Sequence, residues 1–341
     1  MLAGIGGIDL VLLVIALDEG VMPQTVEHFE ILKMLQIRQG IIVLTKSDTV
    51  DSDWADMVEE DVNELVEGSF LEQAPRIRVS SYTGENIETL KQMIIDMAKK
   101  TGKRREEAEL FRLPIDRVFT MEGFGTVVTG TLIEGMCETG QEVMVYPQER
   151  LLKIRGVQSH GQKEEKAFAG QRTAINLAGI KKEELSRGEV LAYPGSLVNS
   201  TMVDATLRLF ASTQRKLKNG DRVHLSYGSA QVIGKVILLD ADVIEAGQEA
   251  FVQLRFDEPI CVKRNDKFIV RFYSPVETFG GGTVLNPAAD KHKRGQEAVI
   301  ESLRLKKTGT DIEVLEQMVD EERPPLSGAE GAGRVDGSDG I

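Results

Sequence analysis

The chain has 341 residues, 41% of them hydrophobic and 5% aromatic, and a formal charge of −13. This length allows two or three domains, and the apolar share is ample for their cores. The acidic balance argues against bulk electrostatic binding of nucleic acid while leaving a local basic patch open. Cys137 and Cys261 are far apart and neither lies in a CxxC, and His28, His160, His224 and His292 are scattered, so neither a zinc site nor a disulfide framework is expected. A reducing cytoplasm is the simplest setting.

The run from Asp9 to Leu17 is apolar but shorter than the roughly 20 residues of a membrane span. No basic segment precedes it as in a signal peptide, and a buried parallel strand fits. From there strand and helix alternate. Leu10 to Leu17 reads as a strand, and Gln24 to Gln36 as an amphipathic helix with Val26, Phe29, Leu32 and Leu35 on one face. Gly40 to Thr45 reads as a second strand, Ser52 to Glu67 as an acidic surface helix, and Arg76 to Ser80 as a third strand. Glu85 to Lys99 reads as a helix with Ile87, Leu90, Ile94 and Met97 at helical spacing. The order implies a parallel sheet covered by helices. So small a sheet leaves an edge exposed and reads as part of a larger one.

Lys99 to Glu109 is a charged linker, and from Phe111 the pattern turns to short β-rich runs broken by glycines. Thr126 to Thr131, Glu142 to Tyr146, Lys153 to Val157, Arg172 to Ala178 and Gly188 to Ala192 form one set of candidate strands. Met202 to Phe210, Asp221 to Tyr227, Ser229 to Leu239, Glu249 to Phe256, Lys267 to Tyr273 and Gly281 to Leu285 form another. Strands at this spacing predict barrels, with a boundary near Pro194 to Ser200. The expected organisation is an α/β unit over 1–100, a linker over 101–110, and β-barrels over 111–195 and 196–289. A charged helical segment over 290–322 and a Gly/Ser/Asp-rich, disordered tail over 323–341 follow.

The sharpest local motif is Thr45-Lys46-Ser47-Asp48, directly after a strand. Open α/β sheets bind ligands beyond the carboxyl ends of their strands. An aspartate there can accept two hydrogen bonds from the N1 and N2 donors of guanine, a pair that adenine lacks. The Lys46 stem can lie along the purine face, and Ser80-Ser81, after the next strand, offers backbone donors near the base oxygen. Thr45, Lys46, Asp48, Ser80 and Ser81 are therefore the candidate guanine-binding residues. Alone the tetrapeptide is a common charged loop; the ordered combination of strand, loop, helix, strand and serine-rich loop gives it weight.

Longer segments carry a family resemblance. Ala16 to His28 (ALDEGVMPQTVEH) resembles the segment after switch II of elongation factor Tu-like GTPases. Gly123 to Thr131 (GFGTVVTGT) resembles the opening hairpin of their second domain, Gly170 to Gly179 (GQRTAINLAG) a later strand, and Arg187-Gly188 a family turn. The resemblance covers roughly residues 1–290 and implies part of a P-loop-type GTPase domain followed by two all-β barrels. Leu44-Thr45-Lys46, Ile115-Asp116-Arg117-Val118-Phe119 and Gly170-Gln171-Arg172 are most similar to the selenocysteine-specific branch. That branch implies GTP or GDP as cofactor, magnesium in the intact parent, and selenocysteinyl-tRNA and the ribosome as partners. An mRNA hairpin would be bound by the intact parent only; no membrane contact and a monomeric state are expected. A selenolate is anionic at neutral pH and calls for fixed cations, a role that suits arginine. By resemblance Arg117 and Arg172 take this position with Asp116 beside them, and His160 is a weaker pocket candidate. A lone arginine on a barrel strand is ordinarily a solvated or ion-paired surface group; two at matching family positions favour the pocket.

The chain contains no GxxxxGK[ST] and no DxPGH, the motifs that supply phosphate cradling and water positioning in this chemistry. Met1-Leu2-Ala3-Gly4 resembles the helix that follows the second of them. No catalytic or metal-ligating residue is assigned, and the chain alone is expected not to hydrolyse GTP at a useful rate while keeping weak guanine contact through Asp48. Two other readings stay open: another tRNA-carrying translational GTPase, and a non-enzymatic β-barrel RNA-binding module with a vestigial nucleotide domain. Gly4 to Gly7 precedes a strand and is not a phosphate loop. Gly280-Gly281-Gly282 reads as a tight barrel turn, and Lys291 to Arg294 as a charged face, solvated or touching tRNA phosphates.

Overall fold

The computed structural model describes residues 8–100 and 110–322. The Met1 to Gly7 stretch, residues 101–109 of the linker and the tail over 323–341 lie outside the described residues.

The first unit runs β1 (Val11–Ala16), α1 (Pro23–Met34), β2 (Gly40–Thr45), α2 (Ser52–Val66), β3 (Arg76–Arg78) and α3 (Ile87–Lys100). Its sheet has the order β1-β2-β3 with both pairs parallel. The central β2 is buried on both faces, which is why its sequence is continuously apolar rather than alternating. Ile42 and Leu44 face Phe29 of α1 and Val58 and Val62 of α2. On the opposite face Ile41 and Val43 meet Leu90, Met93 and Ile94 of α3. The β1 edge leaves Leu12 and Val14 exposed, in keeping with a partial sheet. Asp51 starts α2 by accepting the Trp54 N–H at 2.9 Å, a capping bond.

The second unit comprises β4 (Arg112–Pro114), β5 (Arg117–Met121), β6 (Gly125–Thr131), β7 (Met136–Glu138), β8 (Glu142–Tyr146), β9 (Arg150–Ser159), β10 (Gln162–Glu164), β11 (Lys166–Phe168), β12 (Arg172–Ala178) and β13 (Val190–Ala192). Eight of these strands form one sheet in the order β4-β13-β8-β9-β12-β6-β5, with β10 on β9, while β7 and β11 pair separately. The sheet curls until β4 meets β6: a Cβ on Gly130 would lie 2.2 Å from the Pro114 carbonyl oxygen, so only glycine fits. Val128, Val145, Ile154, Ile175 and Leu191 fill the interior.

The third unit comprises β14 (Asn199–Leu209), β15 (Leu217–Lys218), β16 (Arg222–Tyr227), β17 (Ala230–Leu238), β18 (Val243–Ile244), β19 (Glu249–Cys261), β20 (Lys267–Phe272) and β21 (Thr278–Asn286), followed by α4 (Glu297–Thr308) and α5 (Asp311–Glu322). Six strands close a barrel in the order β14-β19-β17-β16-β20-β21. Gly280 to Gly282 is not the turn expected from its sequence but lies inside β21. A Cβ there would meet the carbonyl oxygens of Arg208, Phe268 and Thr206 at 2.3, 2.6 and 1.8 Å respectively, so the glycines let neighbouring strands crowd together.

The units are packed on one another. Helix α1 buries residues beyond the expected stripe: Ile31 and Met34, together with Leu35 of that stripe, pack on Phe210 and Ile269 of the third unit. Between the two β units, Arg112 forms a bidentate pair with Asp266 at 2.6 and 2.7 Å, and Lys263 reaches Glu134 at 2.5 Å. The Ser229 hydroxyl donates to the Ile115 carbonyl at 2.7 Å. Cys137 and Cys261 are free and buried, and burial pushes both thiols up to about 12, which leaves them unreactive.

Candidate functional site

Three loops meet at the carboxyl end of the parallel sheet. The Thr45 hydroxyl donates to the Ile15 carbonyl at 3.4 Å, tying β2 to β1 where the loop begins. Lys46 adopts a left-handed conformation, φ 60°, which turns the chain sharply into a short 3-10 segment, Ser47–Thr49. Its ammonium reaches across to the β1 loop and donates to both Asp18 oxygens at 2.9 and 2.7 Å and to Glu19 at 3.4 Å. The hydrogen bond with Asp18 holds the Lys46 pKa above the ordinary lysine value. On the other side the Ser47 amide donates to the Val79 carbonyl at 3.2 Å, and its hydroxyl to Glu85 at 2.9 Å. The Trp54 indole N–H on the Leu17 carbonyl, at 2.8 Å, fastens α2 to the same rim.

Asp48 stands exposed in the middle of this rim, and among the described residues its carboxylate makes no hydrogen bond or ion pair. The serines divide. Ser80 is fully buried and its hydroxyl accepts the Thr83 amide at 3.1 Å, bracing its own turn, whereas Ser81 is exposed. The bracing partners Asp18, Glu19, Ser47 and Glu85 were not assigned from the sequence. An intervening charge of opposite sign was the available signal, but nothing local says which carboxylate a lysine 27 or 28 positions away will meet.

A free acceptor pair flanked by a lysine stem and a serine-rich turn suits a guanine base. Among the described residues, no group of three or more His, Cys, Asp or Glu side chains is placed to hold a metal ion. The chemistry of this donor and acceptor set is that of a base edge rather than of a metal ion.

The second candidate cluster lies on the outer surface of the second unit. Register places Arg117, Thr129, Ala174 and Gln158 in one cross-strand row. Arg172 lies two residues from Ala174 and so shares that face. Asp116 joins the group: it accepts from Arg172 at 2.6 and 3.3 Å and from the Thr129 hydroxyl at 2.7 Å. Arg172 remains 55% exposed, so guanidinium donors not used by Asp116 point to solvent. Arg117 is exposed and makes no side-chain bond among the described residues. His160 occupies the turn between β9 and β10 with φ 52°, its ring 3.1 Å from the Ser159 hydroxyl. It follows Ser159, the register partner of Thr173, and no contact joins it to Arg172 among the described residues. A groove of about 100 Å³ continues the same face, lined by Met121, Phe124, Val127, Gln158, Ala174 and Asn176. Thr129, which the sequence reading did not single out, is the residue that fixes Asp116.

The charged cluster over 291–294 stays largely at the surface, with Lys291, Lys293 and Arg294 exposed. His292 points inward, 2.9 Å from Asp204, which is 1% exposed, and Arg294 donates to the Ala241 carbonyl at 2.9 Å. The buried Asp204 carboxylate accounts for the inward turn of His292, whereas Arg294 stays exposed.

The parallel α/β unit followed by two β units is the fold of elongation factor Tu-like GTPases. Residues 1–100 match the elongation factor Tu GTP-binding domain and residues 125–192 match elongation factor Tu domain 2. Residues 204–291 match the β-barrel domain of the selenocysteine-specific elongation factor, and the chain belongs to that family. It is 46% identical over 294 residues to the selenocysteine-specific elongation factor of Desulfomicrobium baculatum, covering 86% of this chain and 46% of that protein. It is 33% identical over 290 residues to the Escherichia coli K12 factor, covering 84% and 45% respectively. The chain thus spans about half the length of these relatives. A crystal structure of a bacterial selenocysteine-specific elongation factor superposes with a TM-score of 0.78 at 29% identity, covering 93% of this chain and 51% of that one. The apo form of the Methanococcus maripaludis factor, at 24% identity and TM-score 0.75, shares the fold; the match covers 87% of this chain and 68% of that one.

Proposed function

We propose that this chain is the part of a selenocysteine-specific elongation factor that reads guanine and holds selenocysteinyl-tRNA for delivery to the ribosome at recoded stop codons. The observation that carries the reading is the Asp116–Arg172–Thr129 cluster with Arg117 on the same outer face. Asp116 accepts two bonds from Arg172 and so orients the guanidinium, and Arg172 and Arg117 turn their remaining donors outward. Two fixed cations on one open face favour a selenolate over a neutral serine hydroxyl, because the ionised partner gains charge-assisted hydrogen bonds. The adjoining groove accommodates the end of the charged tRNA. In the first unit Asp48 reads the guanine edge, the Lys46 stem covers one face of the base, and Thr45, Ser80 and Ser81 shape the rim. Bound GTP would supply the phosphate whose hydrolysis times release in an intact factor.

The test uses the full chain and two charged tRNAs. Arg172→Ala is expected to lower the preference for selenocysteinyl- over seryl-tRNA by about tenfold or more, as for a lost charge-assisted bond; an unchanged ratio would count against the pocket. Equal binding of ordinary aminoacyl-tRNAs by the wild-type chain would favour a general tRNA carrier instead. With no phosphate-loop motif in its sequence, the chain is expected to turn over GTP far more slowly than an intact factor. A phosphate-release assay checks this, and comparable turnover would overturn it.

A further inference from the structure

A cavity of about 230 Å³ lies at the joint between the second and third units and shares no lining residue with the guanine rim or the aminoacyl groove. Pro114, Ile133 and Val190 of the second unit and the Tyr227 ring of the third give it apolar walls. Most of the polar groups on those walls are satisfied within the fold. The Ser229 hydroxyl is spent on the Ile115 carbonyl. Asp266 accepts two bonds from Arg112 and a third from the Lys263 amide at 2.8 Å, and Glu134 accepts from the Lys263 ammonium at 2.5 Å.

Lys267, half-buried on β20, is the exception. Its ammonium donates to the Thr283 hydroxyl at 2.8 Å, and among the described residues no carboxylate is in ion-pair contact with it. The two carboxylates that line the cavity are taken by Arg112 and Lys263, so the Lys267 charge is left over. Burial pushes its pKa below the ordinary lysine value, with the charge of Asp266 opposing the shift. Asn265, exposed on the same wall, adds an amide that makes no side-chain hydrogen bond among the described residues.

A lysine ammonium is ordinarily left in water or paired with an acid. An anion beside Lys267 would gain a charge-assisted hydrogen bond in a site partly shielded from solvent. The apolar walls call for more than a bare anion, because a hydrocarbon body placed against them is removed from water. We propose that this cavity is a binding site for a small organic carboxylate, with its anionic end on Lys267 and its apolar body between Pro114, Ile133, Val190 and Tyr227. Such a ligand touches both β units at once and therefore stabilises their joint by mass action.

The experiment titrates the full chain with benzoate, and with benzamide as a neutral probe of the same shape, by saturation-transfer NMR. Benzoate is expected to bind tighter than benzamide by about tenfold or more, as for one charge-assisted bond, and to raise the melting temperature. Lys267→Met should bring benzoate down to the level of benzamide, whereas Lys267→Arg, which keeps the charge, should retain the preference. Ile133→Trp fills the cavity and should block both probes. Melting curves establish that each variant is folded, and the comparison of the two probes on the wild-type chain needs no variant. Absence of benzoate binding by the wild type, or equal binding of the two probes, overturns the proposal. So does benzoate binding that is unchanged in folded Lys267→Met or Ile133→Trp.

Discussion

Asp204 shows how far a single residue can be governed by its surroundings. It is buried in the closed barrel, accepting from Gln253 at 3.0 Å and facing the His292 ring at 2.9 Å. Burial outweighs these partners and raises its pKa above the ordinary 3.8. A carboxyl whose folded pKa is raised favours the fold when protonated. Its stabilising contribution is therefore complete below pH 3.8 and is lost as pH rises through the higher folded value. Asp204→Asn keeps the shape and removes the titrating proton, so the variant should lack this part of the acid-side slope. Urea midpoints measured across the acid range check it; parallel slopes for the two proteins would show that Asp204 does not titrate between the states. The same logic of enclosure separates Ser80, spent on its own turn, from Ser81, left free at the rim.

At the scale of elements, β21 and α1 belong together. The three glycines of β21 allow the barrel strands to approach closely, and the same flatness receives α1: a Cβ on Gly281 would lie 2.6 Å from the Phe268 carbonyl oxygen and 3.4 Å from the Met34 Cβ. Gly281→Val is expected to cost about 1–3 kcal/mol, as overpacking does, and to loosen α1 from the barrel. Denaturant titration measures the first, and hydrogen exchange along Pro23–Met34 the second. Wild-type stability with unchanged α1 protection would show that the crowding is relieved elsewhere. The sequence displayed the glycines, but a glycine run reads equally as a turn, because the need for a bare backbone arises from the neighbouring strands. Helix α1 was legible as amphipathic through Phe29 and Leu32; its Ile31 and Met34 face was not, since it is covered by a chain segment some 180 to 240 residues away.

For the molecule as a whole, the two β units are joined by Arg112, which is 7% exposed and held bidentately by Asp266. Removing one partner of a buried pair leaves an uncompensated charge and costs about 3–5 kcal/mol. Arg112→Ala should therefore lower the melting temperature and let the two units unfold in separate steps by calorimetry. A single transition at the wild-type temperature would mean that the remaining contacts, such as Lys263 with Glu134, suffice. This joint matters to the proposed function, because the aminoacyl face on the second unit and the barrel beside it must present one continuous surface to the tRNA.

The sequence by itself determined the element order, the strand cores and the rim loop bearing Asp48, since these follow from local periodicity and from residues adjacent in the chain. Continuous apolar runs such as Gly40 to Thr45 specify a doubly covered strand wherever the rest of the fold lies. Short strands such as Met136–Glu138 and Lys166–Phe168 escaped that reading, because three residues carry too little periodicity. Only the tertiary structure decided which cations and carboxylates pair: Lys46 with Asp18, Arg172 with Asp116 and Thr129, Arg112 with Asp266 and His292 with Asp204. The physical reason is range. Hydrophobic patterning is written in neighbours, whereas a charge is satisfied by whichever partner the completed fold brings within about 3 Å, and the sequence does not name that partner.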